Sequence, residues 1–152
     1  MKFIAILFIS LLINSSILAD LIKPSPNIKP KEVIAIQLEA LMKNDILYID
    51  SGITQTWEFA HPQNRQYTGP LSNFISMMKS GSYKSMLNHL GHNIIFVFKD
   101  DTTANYFVEL IDKNDNKLGF TWTLKKVLIK GKFKDCWMTT SVSKPLPLAK
   151  SV

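Results

Sequence analysis

The hydrophobic period of the chain changes once, near Gly91, and the change decides which fold classes are open to it. Before Gly91 apolar residues recur at helical spacing; after it they alternate, or cluster in short runs bounded by turn residues. Ile34, Leu38, Leu41 and Met42 form one stripe, with Lys31, Glu32, Glu39 and Lys43 opposite. Pro30 suits the first turn of that helix, where its missing N–H costs nothing. Asn44-Asp45 ends it. Residues 46–57 mix apolar side chains with Gly52, Thr54 and Thr56 and predict one or two short helical turns. Residues 70–79 predict a second clear helix, capped by Gly69 or Thr68, with Pro70 at its first position and Leu71, Phe74, Ile75 and Met78 on one face.

Beyond Gly91, residues 94–98 are a compact apolar run and Asp100-Asp101-Thr102 is a turn. Residues 104–112 alternate, and a second turn covers 113–116. Residues 117–125 then set Leu118, Phe120, Trp122 and Leu124 on one face and Lys117, Gly119, Thr121, Thr123 and Lys125 on the other. A last strand is expected over 136–142. Helices first and a meander second predict an α+β fold, with N-terminal helices packed on one face of a curved antiparallel sheet of about four strands. The expected domain is residues 30–143. Pro24 and Pro26, followed by Pro30, predict a stiff linker over 20–29, and Pro145 and Pro147 a flexible tail over 144–152.

The first nineteen residues read as an address. Lys2 precedes a run, 3–13, that is apolar except for Ser10; Asn14, Ser15 and Ser16 break it, and Ala19 precedes Asp20. That order is the layout of a secretory signal peptide over 1–19, cut after Ala19, although Ile17 is larger than the usual residue at its position. The expected location is periplasmic or secreted. A membrane-anchored form is the alternative, but the apolar run falls short of the roughly 20 residues a span requires. No cysteine follows the run, which excludes a lipid-anchored exit of the bacterial lipoprotein kind.

The net charge of +6 would suit a polyanion, yet seventeen of the eighteen cations are lysine and Arg65 is the sole arginine. Base readers and phosphate clamps depend on the bidentate guanidinium, so no nucleic-acid partner is expected. Lys125, Lys126, Lys130, Lys132 and Lys134 put five cations within ten residues; they could dock on anionic lipid, but edge lysines more commonly discourage strand-to-strand aggregation. The lone Cys136 rules out an internal disulfide and a cysteine-based zinc site, and reads as a half-buried strand residue.

The string Phe59-Ala60-His61-Pro62-Gln63-Asn64-Arg65-Gln66-Tyr67-Thr68-Gly69-Pro70-Leu71, followed by Phe74 and preceded by Gln37-Leu38-Glu39-Ala40-Leu41 and Asn44-Asp45, resembles a family of exported bacterial domains of unknown function. The family string is F-A-S-P-x-N-R-x-x-T-G-P-L-x-x-F, and here His61 replaces the small residue before the proline. The Tyr83, Met86-Leu87 and His89 stretch and the Trp122 and Trp137 pair are similar too, so the resemblance spans nearly all of 31–142. It implies a cone-shaped α+β roll similar to nuclear transport factor 2 and the cystatins. It brings no catalytic residues.

Trp57, His61, Asn64, Arg65 and Thr68 are the candidate binding residues, on what reads as an ordered loop between helices. As a recognition lip, Arg65 offers a planar fork to an anion, Asn64 a donor–acceptor pair and Trp57 an apolar wall. As a brace, Asn64 and Arg65 bond loop carbonyls and helix ends, and this second reading is the expected one. His89 and His92, with His61, are the residues a zinc site would use; Gly91 breaks the helix the pair needs and no carboxylate lies near in sequence, so neither metal nor cofactor is expected. Tyr48, Asp50, Glu58, His61 and Tyr106 are the loose acid–base candidates, and no spacing among them demands catalysis.

The expected function is a small, exported, non-catalytic binding or interaction module of the cell envelope. Its partner would be a small molecule or an envelope protein, with a homodimer through the sheet face as a further expectation. A small lyase-like or isomerase-like pocket enzyme on the same roll is the alternative. The two differ in whether the sheet encloses a cavity with two titratable groups or is filled by Phe120, Trp122 and the Phe74 face.

Overall fold

The computed structural model describes residues 20–149; the predicted signal segment, 1–19, lies outside the described residues. Helices α1 (Pro30–Met42), α2 (Ser51–Glu58), α3 (Pro62–Thr68) and α4 (Leu71–Lys79) and a 3-10 helix (Gly81–Met86) precede strands β1 (Gly91–Lys99), β2 (Thr103–Ile111), β3 (Lys117–Lys126), β4 (Trp137–Val142) and β5 (Leu146–Pro147). The strands form an open antiparallel sheet in the order β1-β2-β3-β4, with β5 also paired to β3. The class is α+β, as the change of period predicts.

Helix α1 starts where Pro30 allows it, and Glu32 Oε2 accepts the Lys29 N–H at 2.7 Å. It buries Val33, Ile34, Leu38 and Leu41 in the core, with the polar Gln37 on the same face. Asn44 then ties α1 to α2: its carbonyl accepts from Gly52 N–H (2.9 Å) and Ser51 Oγ (2.7 Å), and its Oδ1 accepts from Ile53 N–H (2.9 Å). A side chain at Gly52 would strike the Ala40 carbonyl, so glycine sets how closely the two helices approach.

Two predictions are corrected here, and two segments have partners that the sequence did not show. The loop predicted over the asparagine–arginine motif is in fact helix α3, with Pro62 at its first position and Gly69, at φ 74°, closing it. Seven residues are too few to show a helical period, but proline at the start and glycine at the end are a helix signature. Pro70 caps α4 and does not begin it. The predicted linker is a strap bound to α2: Ile22 N–H donates to Gln55 Oε1 (2.7 Å), Gln55 Nε2 donates to the Ile22 carbonyl (2.8 Å), and Lys23 pairs with Glu58 at 3.0 Å. The predicted flexible tail also has a pairing partner, because Leu146 and Pro147 lie opposite Gly119 and Leu118 and the Leu148 N–H reaches the Lys117 carbonyl.

The inner face of the sheet carries Tyr106, Val108, Leu110, Phe120, Trp122 and Leu124, all buried against the helices. On the outer face Phe107 lies over Gly119. The β2–β3 register runs unbroken from Thr103–Lys125 to Ile111–Lys117, which is why the alternation in β3 is so clean. Because β3 has β2 on one side and β4 and β5 on the other, Lys125 and Lys126 do not lie on a sheet edge. The edge reading of the lysines is therefore also corrected.

Candidate functional site

The junction between α2 and α3 is fixed to β4 by backbone bonds. Thr139 N–H donates to the Phe59 carbonyl and His61 N–H to the Thr139 carbonyl, each at 2.8 Å, making Ala60 and Thr139 a parallel bridge. This junction turns the motif residues in different directions. Asn64 and Thr68 line a cleft of about 290 Å³ between the helices and β4. Arg65 turns away from it, back along its own chain. Its Nε donates to the Ala60 carbonyl and its Nη2 to those of Trp57 and Glu58, all at 3.0 Å. Its guanidinium carbon lies 3.7 Å from the Trp57 ring centre. The fork is spent on the carbonyls that end α2, which is the brace expected for it. Trp57 is thus the guanidinium's platform, and its Nε1 is buried without a hydrogen-bond partner among the described residues. His61 is buried as the cap of α3, its Nδ1 accepting the Gln63 N–H at 3.1 Å. Burial, and then Lys125, hold the His61 ring below the ordinary histidine pKa.

The walls of the cleft are apolar and soft. Met77, Met78 and Met86 supply thioethers, and Leu41, Phe74 and Trp122 form the floor. Much of its polar lining is already engaged. Gln37 Oε1 accepts from Thr139 Oγ1 (2.7 Å) and Trp122 Nε1 (3.3 Å), while Gln37 Nε2 donates to the Thr56 carbonyl (3.0 Å). Tyr83 Oη donates to the Val142 carbonyl at 2.8 Å, and Thr68 Oγ1 to the Asn64 carbonyl at 3.1 Å. Asn64 Nδ2 makes a long bond of 3.4 Å to the Thr139 carbonyl, and its Oδ1 accepts no hydrogen bond among the described residues. Tyr67 stands at the mouth, 89% exposed. The cleft offers a hydrophobic pocket with an amide and a phenol at one side.

No family model, curated protein or solved structure matches the chain.

None of the loose acid–base candidates lines the cleft. Glu58 pairs with Lys23 and Asp50 with Lys79 at 2.9 Å; Tyr48 is exposed; Tyr106 is buried in the core, where burial raises its phenol pKa. The histidine pair makes a different arrangement. His89 Nδ1 lies 2.7 Å from the Met86 carbonyl and His89 Nε2 lies 2.7 Å from His92 Nδ1. The carbonyl can only accept, so His89 carries its proton on Nδ1 and receives the His92 Nδ1–H at Nε2. His92 Nε2 faces Glu39 of α1 at 3.9 Å. Sequence reasoning missed this carboxylate because it lies more than fifty positions upstream. His61 is not part of the group, and among the described residues no three histidines, cysteines or acids are placed to hold a metal ion. Cys136 is buried just before β4, and burial, then Asp135, push its thiol pKa up.

Proposed function

We propose that this protein is an exported, non-catalytic binding module of the cell envelope whose cleft takes a small, uncharged, largely apolar molecule. The observation that carries the reading is the lining of the cleft. Among the described residues its wall holds neither a carboxylate, an imidazole nor a cation, and its ionisable groups are the phenols Tyr67 and Tyr83. A charged ligand would lose its hydration there with no compensating partner, whereas an apolar body with one hydroxyl finds three methionines and Asn64 Oδ1, which accepts no bond among the described residues. At about 290 Å³ the space suits a ligand at the small end of the usual range, which begins near about 300 Å³. The signal-like layout of residues 1–19 supports export, and the asparagine–arginine motif supports kinship with the exported family and its nuclear transport factor 2-like roll. A lyase-like or isomerase-like enzyme would place an acid–base pair in this cleft, and no observation favours it.

Native mass spectrometry of protein purified from its own envelope tests the proposal and would also register a second subunit. The expected result is a retained neutral molecule. Ser141 lines the cleft but is itself exposed, so Ser141→Trp fills the space without entering the core. That variant is expected to lose the molecule while keeping the wild-type melting temperature of the ligand-free chain. Wild type that carries nothing, or Ser141→Trp that still carries it, overturns the reading.

A further inference from the structure

We propose that the loop joining β3 to β4, residues 127–136, is a docking surface for an anionic lipid bilayer. The surface is separate from the cleft and independent of what the cleft binds.

The loop is built to hold one shape. Val127 N–H donates to the Cys136 carbonyl (2.9 Å), Asp135 N–H to the Val127 carbonyl (2.8 Å), and Cys136 N–H to the Phe133 carbonyl (3.0 Å). Val127, Cys136 and Met138 form a small core of their own, with Phe133 packed against it. That frame turns Leu128 and Ile129 outward, 63% and 72% exposed. Two adjacent aliphatic side chains on a loop held in one shape gain free energy by entering the acyl boundary of a membrane.

The charge around the pair is of one dominant sign. Lys125 and Lys126 line a crevice with it, the exposed Lys130, Lys132 and Lys134 belong to the same loop, and Lys99 joins Lys126 at the Trp137 ring, their Nζ atoms 5.4 and 5.3 Å from its centre. The acids nearby are partly engaged: Asp135 pairs with Lys134 at 3.2 Å, and Asp100 Oδ1 accepts the N–H groups of Thr102 and Thr103. At the base of the loop a crevice of about 280 Å³ is lined by His61, Thr102, Lys125, Lys126, Leu128 and Ile129, with cations at one side and aliphatic carbon at the other. A phosphate headgroup and the start of an acyl chain present the same division.

Aliphatic anchors among compact ammonium groups favour lipid over other polyanions. Single-stranded nucleic acid is held by aromatic stacking and by arginine; here Phe133 packs against the loop's own core, and Arg65, 5.3 Å from the Phe133 ring, has its fork spent on the carbonyls that end α2. Protein hot spots are likewise rich in tryptophan, tyrosine and arginine.

The test places an environment-sensitive fluorophore on Ile129→Cys in the full chain, with Ser72→Cys on exposed α4 as the control position. Native Cys136 is buried, and the unsubstituted chain labelled in parallel gives the blank. Any contribution from residues 1–19 is common to every variant, so the signal is read at the loop. On vesicles of phosphatidylcholine mixed with phosphatidylglycerol, the probe at 129 is expected to shift to the blue and the probe at 72 to stay unchanged. Phosphatidylcholine alone is expected to give no shift. Each lysine near an anionic surface contributes about fivefold in affinity, so Lys130→Glu, Lys132→Glu and Lys134→Glu together are expected to raise the lipid needed for half the shift by about a hundredfold or more. All three lie on the exposed loop, and an unchanged circular-dichroism melt confirms the fold. A silent probe, an equal shift on neutral vesicles, a shift that survives the triple reversal, or an equal shift with a DNA oligonucleotide overturns the proposal.

Discussion

Arg65 is the one position where this lysine-rich chain uses a guanidinium, and its three carbonyl partners show why. An ammonium is a point donor on a flexible stem; it cannot reach the carbonyls of Trp57, Glu58 and Ala60 at once, nor lie flat on the Trp57 ring. Arg65→Lys is therefore expected to destabilise the protein by about 1–3 kcal/mol, read as a lower melting temperature with the charge unchanged. A wild-type melt would show that water serves those carbonyls equally well. Asn64, its neighbour, faces the opposite way into the cleft. One turn of α3 thus divides a brace from a cleft wall.

Between elements, α1 and α2 approach so closely at Gly52 that no side chain fits there. A methyl group there meets the backbone of Ala40 and Asn44, which cannot swing aside as a side chain would. Gly52→Ala raises helix propensity by about 1 kcal/mol, yet the helices must separate and the Asn44 bonds lengthen. The net result expected is a loss of about 2 kcal/mol or more in urea unfolding, since overpacking against rigid neighbours exceeds the propensity gain. A neutral or stabilised variant would show that the two helices shift at little cost. The same scale explains β5. The shorter β4 leaves the first half of β3 without a partner on that side, and Leu146 and Pro147 supply one.

At the scale of the whole molecule, His61, His89 and His92 all lie below the ordinary histidine pKa, burial being the largest cause for each, with Glu39 partly opposing it at His92. The folded state therefore resists protonation at three places, while the unfolded chain takes up protons near about pH 6.5. Between that value and the lower folded values the unfolded state binds more protons, so stability is complete above about pH 7 and falls as pH drops. Thermal melts from neutral to mildly acid pH are expected to show this fall. His92→Gln should make it shallower, because one protonation of the unfolded chain is removed. A melting temperature that is flat over this range would mean the rings titrate equally in both states.

Local patterning was enough to determine the order of helices before strands, the faces of α1 and α4, the two hairpins and the alternation in β3. These follow from spacings of two to four residues, which the chain carries within itself wherever it folds. The brace at Arg65 was legible from composition, because a lone guanidinium among lysines points to multi-donor geometry. Helix α3 was not legible, being too short for a period to show. Neither was the division of Asn64 and Thr68 from Trp57 and Arg65, nor the meeting of Glu39 with His92, nor the attachment of the strap and tail. Only the tertiary structure decided these, since each depends on how elements dozens of residues apart pack, and packing fixes distances that no local period encodes.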